Sequence, residues 1–202
     1  MMKSYLLAIL VSMVLVTILN IILNKKSNKP IKLQHYLFGY MLMFYLVISL
    51  KDIVGFPTLS DFERRIMVGA SVYNPVLNFI PFSSGIEIST ILNIIFFMPF
   101  GFLLPTLWKR FRKFIPTVFA GFIFSLIIEV GQLFTFRATD VDDLIMNTLG
   151  TILGFIVFKI FSIIFKKLSS ETVIEEYNKK GSIVKYGPYL YIGIAVVSVF
   201  FC

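Results

Sequence analysis

Apolar residues along this chain come in long blocks, not in the short alternating runs of a soluble fold. Blocks at 4–23, 33–50, 88–108, 114–136 and 141–165 approach or exceed the length that one helix needs to cross a bilayer, roughly 20 residues. A sixth block at 189–202 is shorter, and predicts a partial or little-tilted span. The stretch 51–87 is more polar and holds Asp52, Asp61, Glu63, Arg64 and Arg65. Its middle, 66–82, is moderately apolar but broken by Gly69, Asn74, Pro75 and Pro81. That stretch predicts an extramembrane or interfacial loop with room for a short hairpin or an amphipathic helix. The pattern predicts an all-α, polytopic transmembrane helical bundle of about six spans, five plus a short C-terminal one. Three parts are expected: 1–60 with two spans and the start of the loop, 61–168 with the loop and three spans, and 169–202 with a polar loop and the last span.

Composition strengthens this picture. Hydrophobic residues make up 57% and charged residues 15%, against about 45–50% and about 25% in soluble domains. The formal net charge of +8 would suit nucleic acid, but the cations sit in the short connections between apolar blocks. Loops 24–32, 109–113 and 166–188 hold thirteen Lys and Arg residues, and the other side holds Lys3, Lys51, Arg64, Arg65 and Arg137. Positive charge collects on the cytoplasmic side of a membrane protein, so those three loops are expected to be cytoplasmic and the N-terminus outside. No nucleic-acid partner is expected, and membrane lipids are. Lys3 alone precedes the first block and no small-residue cleavage site follows it, so that block is expected to be retained as a span.

Candidate chemistry is sparse. Cys202 is the single cysteine, which rules out an intrachain disulfide or a thiolate cluster. His35 is the single histidine, beside a basic loop, and reads as an interfacial residue rather than a ligand. With that histidine read as interfacial, neither a His-based catalytic triad nor a multi-His zinc site is expected within one chain, and no cofactor is expected.

Polar residues within the spans are more informative. With a helical rise of ~1.5 Å per residue, Glu129 falls ~12 Å below Arg137 and Asn93 falls ~9 Å below Glu87. Asn93, Glu129, Gln132, Asp143 and Asn147 therefore lie at similar depth near the outer end of three spans. Ser125, Glu129 and Gln132 share one helix face, and Asp143, Asn147, Gly150 and Gly154 share another. The glycines would let a neighbouring helix approach closely. A carboxylate in a span costs roughly 2.5–3.5 kcal/mol at the helix centre and less near its ends, so Glu129 is expected to face a partner or a site. One partner would be Arg137, in an ion pair that locks packing. Asp140 suits an N-cap for the span that follows, and Asp142 and Asp143 suit its first turn, where the helix dipole favours anions. Pro99 would free the carbonyl of Ile95, one turn from Asn93; an ordinary Pro-kinked span is the expectation, since membrane helices tolerate proline, with a kink that opens a small outer cavity as the alternative.

These residues resemble the VanZ family of membrane proteins. The resemblance runs from about Asn78 to Gly154. It begins at Asn78-Phe-Ile-Pro-Phe82 and continues through Asn93-Ile-Ile-Phe-Phe-Met-Pro99-Phe-Gly101-Phe. It is strongest at Glu129-Val-Gly-Gln132, at Arg137-x-x-Asp140-x-x-Asp143, and at Asn147-Thr-Leu-Gly150 with Gly154. The motif residues it implies are Asn93, Glu129, Gln132, Arg137, Asp140, Asp143 and Asn147. The family is named for a protein that lowers susceptibility to teicoplanin, a lipoglycopeptide that binds cell-wall precursors. The resemblance implies a cell-envelope protein whose outer polar pocket engages a lipid-linked wall precursor or a glycopeptide. Arg137 would meet an anionic group, and the buried residues would supply hydrogen bonds. One alternative is an enzyme acting on a lipid-linked phosphate or sugar through its carboxylates. It is the weaker reading, because the cluster holds no His, no phosphate-binding glycine loop and no clear nucleophile. Another is a small proton-coupled transporter with Glu129 as relay, against which stand the apolar inner halves of the spans.

Overall fold

A computed structural model describes residues 2–27, 30–73, 75–83, 85, 88–135, 137, 139–174 and 183–202. Of the positions used above, Lys29, Asn74, Glu87, Lys179 and Lys180 lie outside the described residues.

The chain begins with α1 (Met2–Lys26) and α2 (Leu33–Ile48), whose last turn widens into a π-helical turn at Ser49–Ile53. α3 (Leu59–Met67) is the short amphipathic helix the loop had room for. A capping box opens it: Thr58 accepts from the Asp61 backbone N–H, and Asp61 reaches back to the Thr58 backbone N–H. β1 (Leu77–Asn78) leads to α4 (Ile88–Leu107), and a 3-10 turn at Lys109–Arg112 connects to α5 (Phe114–Gln132). β2 (Thr139–Asp140) runs directly into α6 (Val141–Ile164), followed by α7 (Lys166–Thr172) and α8 (Gly187–Phe201).

Among the described residues, six helical segments are long and apolar enough to cross a membrane: Ser4–Lys26, Leu33–Lys51, Thr90–Leu107, Phe114–Gln132, Val141–Ile164 and Ile183–Phe201. The protein is a multi-pass membrane protein of all-α class. The last segment is longer than the apolar block suggested, because a 3-10 turn at Ile183–Tyr186 feeds into Gly187-Pro188 at the start of α8. Proline at the first turn of a helix loses no intrahelical bond, so the helix starts before the purely apolar run does. α1 shows how the lipid-facing surface is made. Leu7, Leu10, Val14, Ile18 and Ile21 are all exposed along one stripe, while Ala8, Val16, Leu19 and Leu23 are buried.

α4 and α6 share the most extensive interface, and glycine is the reason. A Cβ on Gly101 would lie 2.1 Å from the Thr151 carbonyl oxygen, and one on Gly154 would lie 2.0 Å from that of Met98. The two backbones therefore touch, as small residues permit in membranes. α5 packs on the same pair, with Phe124 stacked on Phe100 at 4.9 Å. α1, α2 and α8 form a second group, joined to the first through α2 and α4. Within it Tyr191 donates to Asn20 Oδ1 at 2.7 Å, in a wholly buried hydrogen bond. Pro99 and Pro105 both lie inside an unbroken α4. Next to the Ile95 position, the Phe96 carbonyl of α4 accepts from the Tyr45 hydroxyl of α2 at 2.8 Å.

The end of the bundle that carries the basic connections is tied down by side chains. Arg112 donates to the Ser169 carbonyl at 2.6 Å and to the Ser169 hydroxyl at 2.9 Å, and burial lowers its pKa. Lys32 pairs with Glu171 at 2.8 Å and holds that carboxyl below its ordinary range. His35, in the first turn of α2, is buried within the protein: its Nδ1 lies 2.8 Å from the Thr172 carbonyl, and its ring meets Trp108 edge-on. The folding of α7 back under α2 is what encloses it.

A polar site at the acidic end of the bundle

The opposite end is where the polar positions of α4, α5 and α6 meet. Two local features build it. Asp140 caps α6, its Oδ1 accepting from the Asp142 backbone N–H at 2.9 Å. The two residues before α6 also form β2, which pairs in parallel with β1 in the register Leu77 with Thr139 and Asn78 with Asp140. The long loop therefore lies against the α5–α6 connection. Asn78 donates to Asp140 Oδ2 at 3.1 Å, and the Phe82 backbone N–H donates to Asp142 Oδ1 at 2.8 Å.

Beneath this lid the intramembrane residues sort into pairs. Asn93 donates to Asp143 Oδ1 at 2.5 Å, linking α4 to α6. Asn147 donates to Ser125 Oγ at 2.9 Å, linking α6 to α5 in a fully buried bond. Glu129 is 4% exposed. Its Oε2 accepts from the Asp140 backbone N–H at 3.0 Å, and its own carbonyl accepts from the Thr139 hydroxyl at 3.1 Å. Gln132, 3% exposed, donates through Nε2 to the Val54 carbonyl at 3.3 Å.

Arg137 does not pair with Glu129. Its Nη1 donates to the Ile53 carbonyl at 3.0 Å, and the side chain is exposed. Gly55 makes room for it. Gly55 has φ of +59°, and a Cβ there would lie 3.0 Å from Arg137 Nε as well as being strained. Arg137 remains close enough to Asp143 to act on it electrostatically, and Asp140 and Asp143 both act on Glu129. Among the described residues no three His, Cys, Asp or Glu side chains group as a metal site would require.

Two oxygens in this site have no donor. Glu129 Oε1 and Gln132 Oε1 are buried and without a hydrogen-bond partner, three residues apart on one face of α5. A buried acceptor left unpaired costs about 1–3 kcal/mol. Residues 53–56 were the part of the site with no sequence signal. Ile53 and Val54 contribute backbone carbonyls, which any residue type supplies, and Phe56 packs where a Cβ on Gly131 would sit.

The family model described as VanZ/LLP1 matches residues 5–162. This chain belongs to that family. A VanZ/LLP1 relative, "Protein VanZ" of Enterococcus faecium, is 40% identical over 80 residues, which cover 39% of this chain and 49% of the relative. The chain thus matches about half the length of that curated relative. No solved structure matches.

Proposed function

We propose that this VanZ/LLP1 member is a cell-envelope protein that lowers susceptibility to teicoplanin-type lipoglycopeptides. Its polar site would do so by engaging the head group of the antibiotic or of a lipid-linked wall precursor. The observation that carries this reading is the pair of unpartnered buried oxygens, Glu129 Oε1 and Gln132 Oε1. Asn93 is bonded to Asp143 and Asn147 to Ser125, so these two oxygens are acceptors left to take a ligand's hydrogen-bond donors. Sugar hydroxyls, amides and ammonium groups supply donors. Asn93, Asp143, Asp140 and Asn147 hold the three helices and the lid in register, and exposed Arg137 would meet an anionic group of the same ligand. The thirteen Lys and Arg residues in the opposite connections favour a cytoplasmic position for that end. The polar site would then open to the outer leaflet, where wall precursors and glycopeptides are found.

The test is teicoplanin susceptibility of a host that expresses the wild-type chain, Glu129→Gln or Gln132→Leu at equal membrane abundance. Wild type should lower susceptibility, and both variants should restore it. Equal protection by all three would refute the assignment of the site.

A further inference from the structure

A lateral groove separates α5 from α8, on the side of α5 away from α6. The two helices scarcely touch. One cavity of ≈ 520 Å³ occupies the half of the groove near the basic end, lined by Phe111, Ile115, Phe119, Ile123, Ile192 and Val196 among others. A second, of ≈ 590 Å³, continues toward the acidic end between Phe56, Phe62, Phe134 and Phe200. Ile127 and Val196 line both, so the two form one crevice along the membrane-spanning length of α5. Each has the volume of a pocket that buries a ligand of moderate size.

The lining is amphiphilic in one direction only. Charge enters it at a single place, Arg110, in the connection just before α5. Tyr189, at the start of α8, lies at that same end and packs edge-on against Phe111. Arg110 is exposed and makes no ion pair among the described residues. Lys109, Arg112 and Lys113 stand beside it in sequence. Midway along, Gly193 has nothing within 4 Å of where a Cβ would project, so the groove is open there and not filled by the protein. A long apolar slot with one cationic end complements a molecule with a long apolar tail and one anionic head.

We infer that the α5–α8 groove is a binding site for an anionic diacyl phospholipid of the basic-end leaflet. One acyl chain lies along Phe119, Ile123 and Ile127, and the phosphate meets Arg110. The phosphate end of this groove lies at the opposite end of α5 from the polar site, although its far cavity shares Phe56 and Gly131 with that site, and the inference stands whether or not the polar site binds a wall precursor.

The test is native mass spectrometry of the purified full chain in nanodiscs of equimolar phosphatidylglycerol and phosphatidylcholine with identical acyl chains. Wild type should retain phosphatidylglycerol over phosphatidylcholine by roughly fivefold, the worth of one basic residue at an anionic surface. Arg110→Gln should bring that ratio to about one while retaining as much lipid in total. Gly193→Phe, whose Cβ meets nothing within 4 Å, projects a ring into the slot and should lose the retained lipid of both kinds, with thermal melting checking that it folds. Undiminished retention in Gly193→Phe, or an unchanged preference in Arg110→Gln, would overturn the inference. So would a wild-type dimer, free of retained lipid, that Gly193→Phe dissociates, because the groove would then belong to a second copy.

Discussion

Gly154→Ala perturbs the tightest glycine position among the described residues. The added Cβ would lie 2.0 Å from the Met98 carbonyl oxygen, whereas ordinary contact begins at 3.4 Å. The obstacle is backbone, which no rotamer change can move aside. α4 and α6 must therefore separate locally by about 1.4 Å, a gap that forfeits a quarter or more of the dispersion energy of the atoms facing it. Overpacking of this kind costs about 1–3 kcal/mol. Loss of close Cα–H···O contacts along the seam adds about 0.5–1 kcal/mol each. The expected total is roughly 3 kcal/mol, measured by reversible unfolding in mixed micelles. Gly193→Ala is the control, since its Cβ meets nothing within 4 Å. The separation should also lengthen the Asn93–Asp143 hydrogen bond, about three turns away along α6 in the same seam, so protection against teicoplanin should fall with stability. Equal stability of Gly154→Ala and Gly193→Ala would refute the claim that α4 and α6 pack backbone to backbone.

Other substitutions separate holding from binding. Asp140→Ala removes the cap of α6 and the acceptor for Asn78; a loss of about 1–2 kcal/mol in the same unfolding assay is expected. Asn147→Leu breaks the buried bond to Ser125 and should cost about 1 kcal/mol, the scale of interhelical hydrogen bonds in membranes. Arg137→Ala removes one exposed hydrogen bond to Ile53. It should leave stability within about 0.5 kcal/mol and weaken binding of an anionic head group about tenfold, as loss of a charge-assisted bond does, read by titration in nanodiscs.

The spans could be read from the chain because a membrane demands only length and apolarity, and all six blocks became helices. Asp140 was legible as a cap because the acids that follow it mark a helix start. Gly150 and Gly154 were legible as a close-packing face, and their neighbour is the α4 backbone. The partner of Glu129 was not legible. Sequence offers Arg137 as the complementary charge, but the carboxylate takes the Asp140 backbone N–H, because β2 carries that N–H over the end of α5. The pairing of β1 with β2 was equally hidden, since two residues form no periodic pattern and lie some 60 positions from their partners. The enclosure of His35 depends on α7 folding back, a tertiary event with no local signal.

The central claim is that Glu129 and Gln132 form an acceptor site for a donor-bearing head group. Its most direct test is binding of teicoplanin and of a lipid-linked wall precursor to the purified chain in nanodiscs, by titration calorimetry. Wild type should bind one of them saturably, and Glu129→Gln with Gln132→Leu together should weaken binding at least tenfold while leaving the melting temperature no lower. Undiminished binding by that double variant, or no binding of either molecule by wild type, would contradict the account.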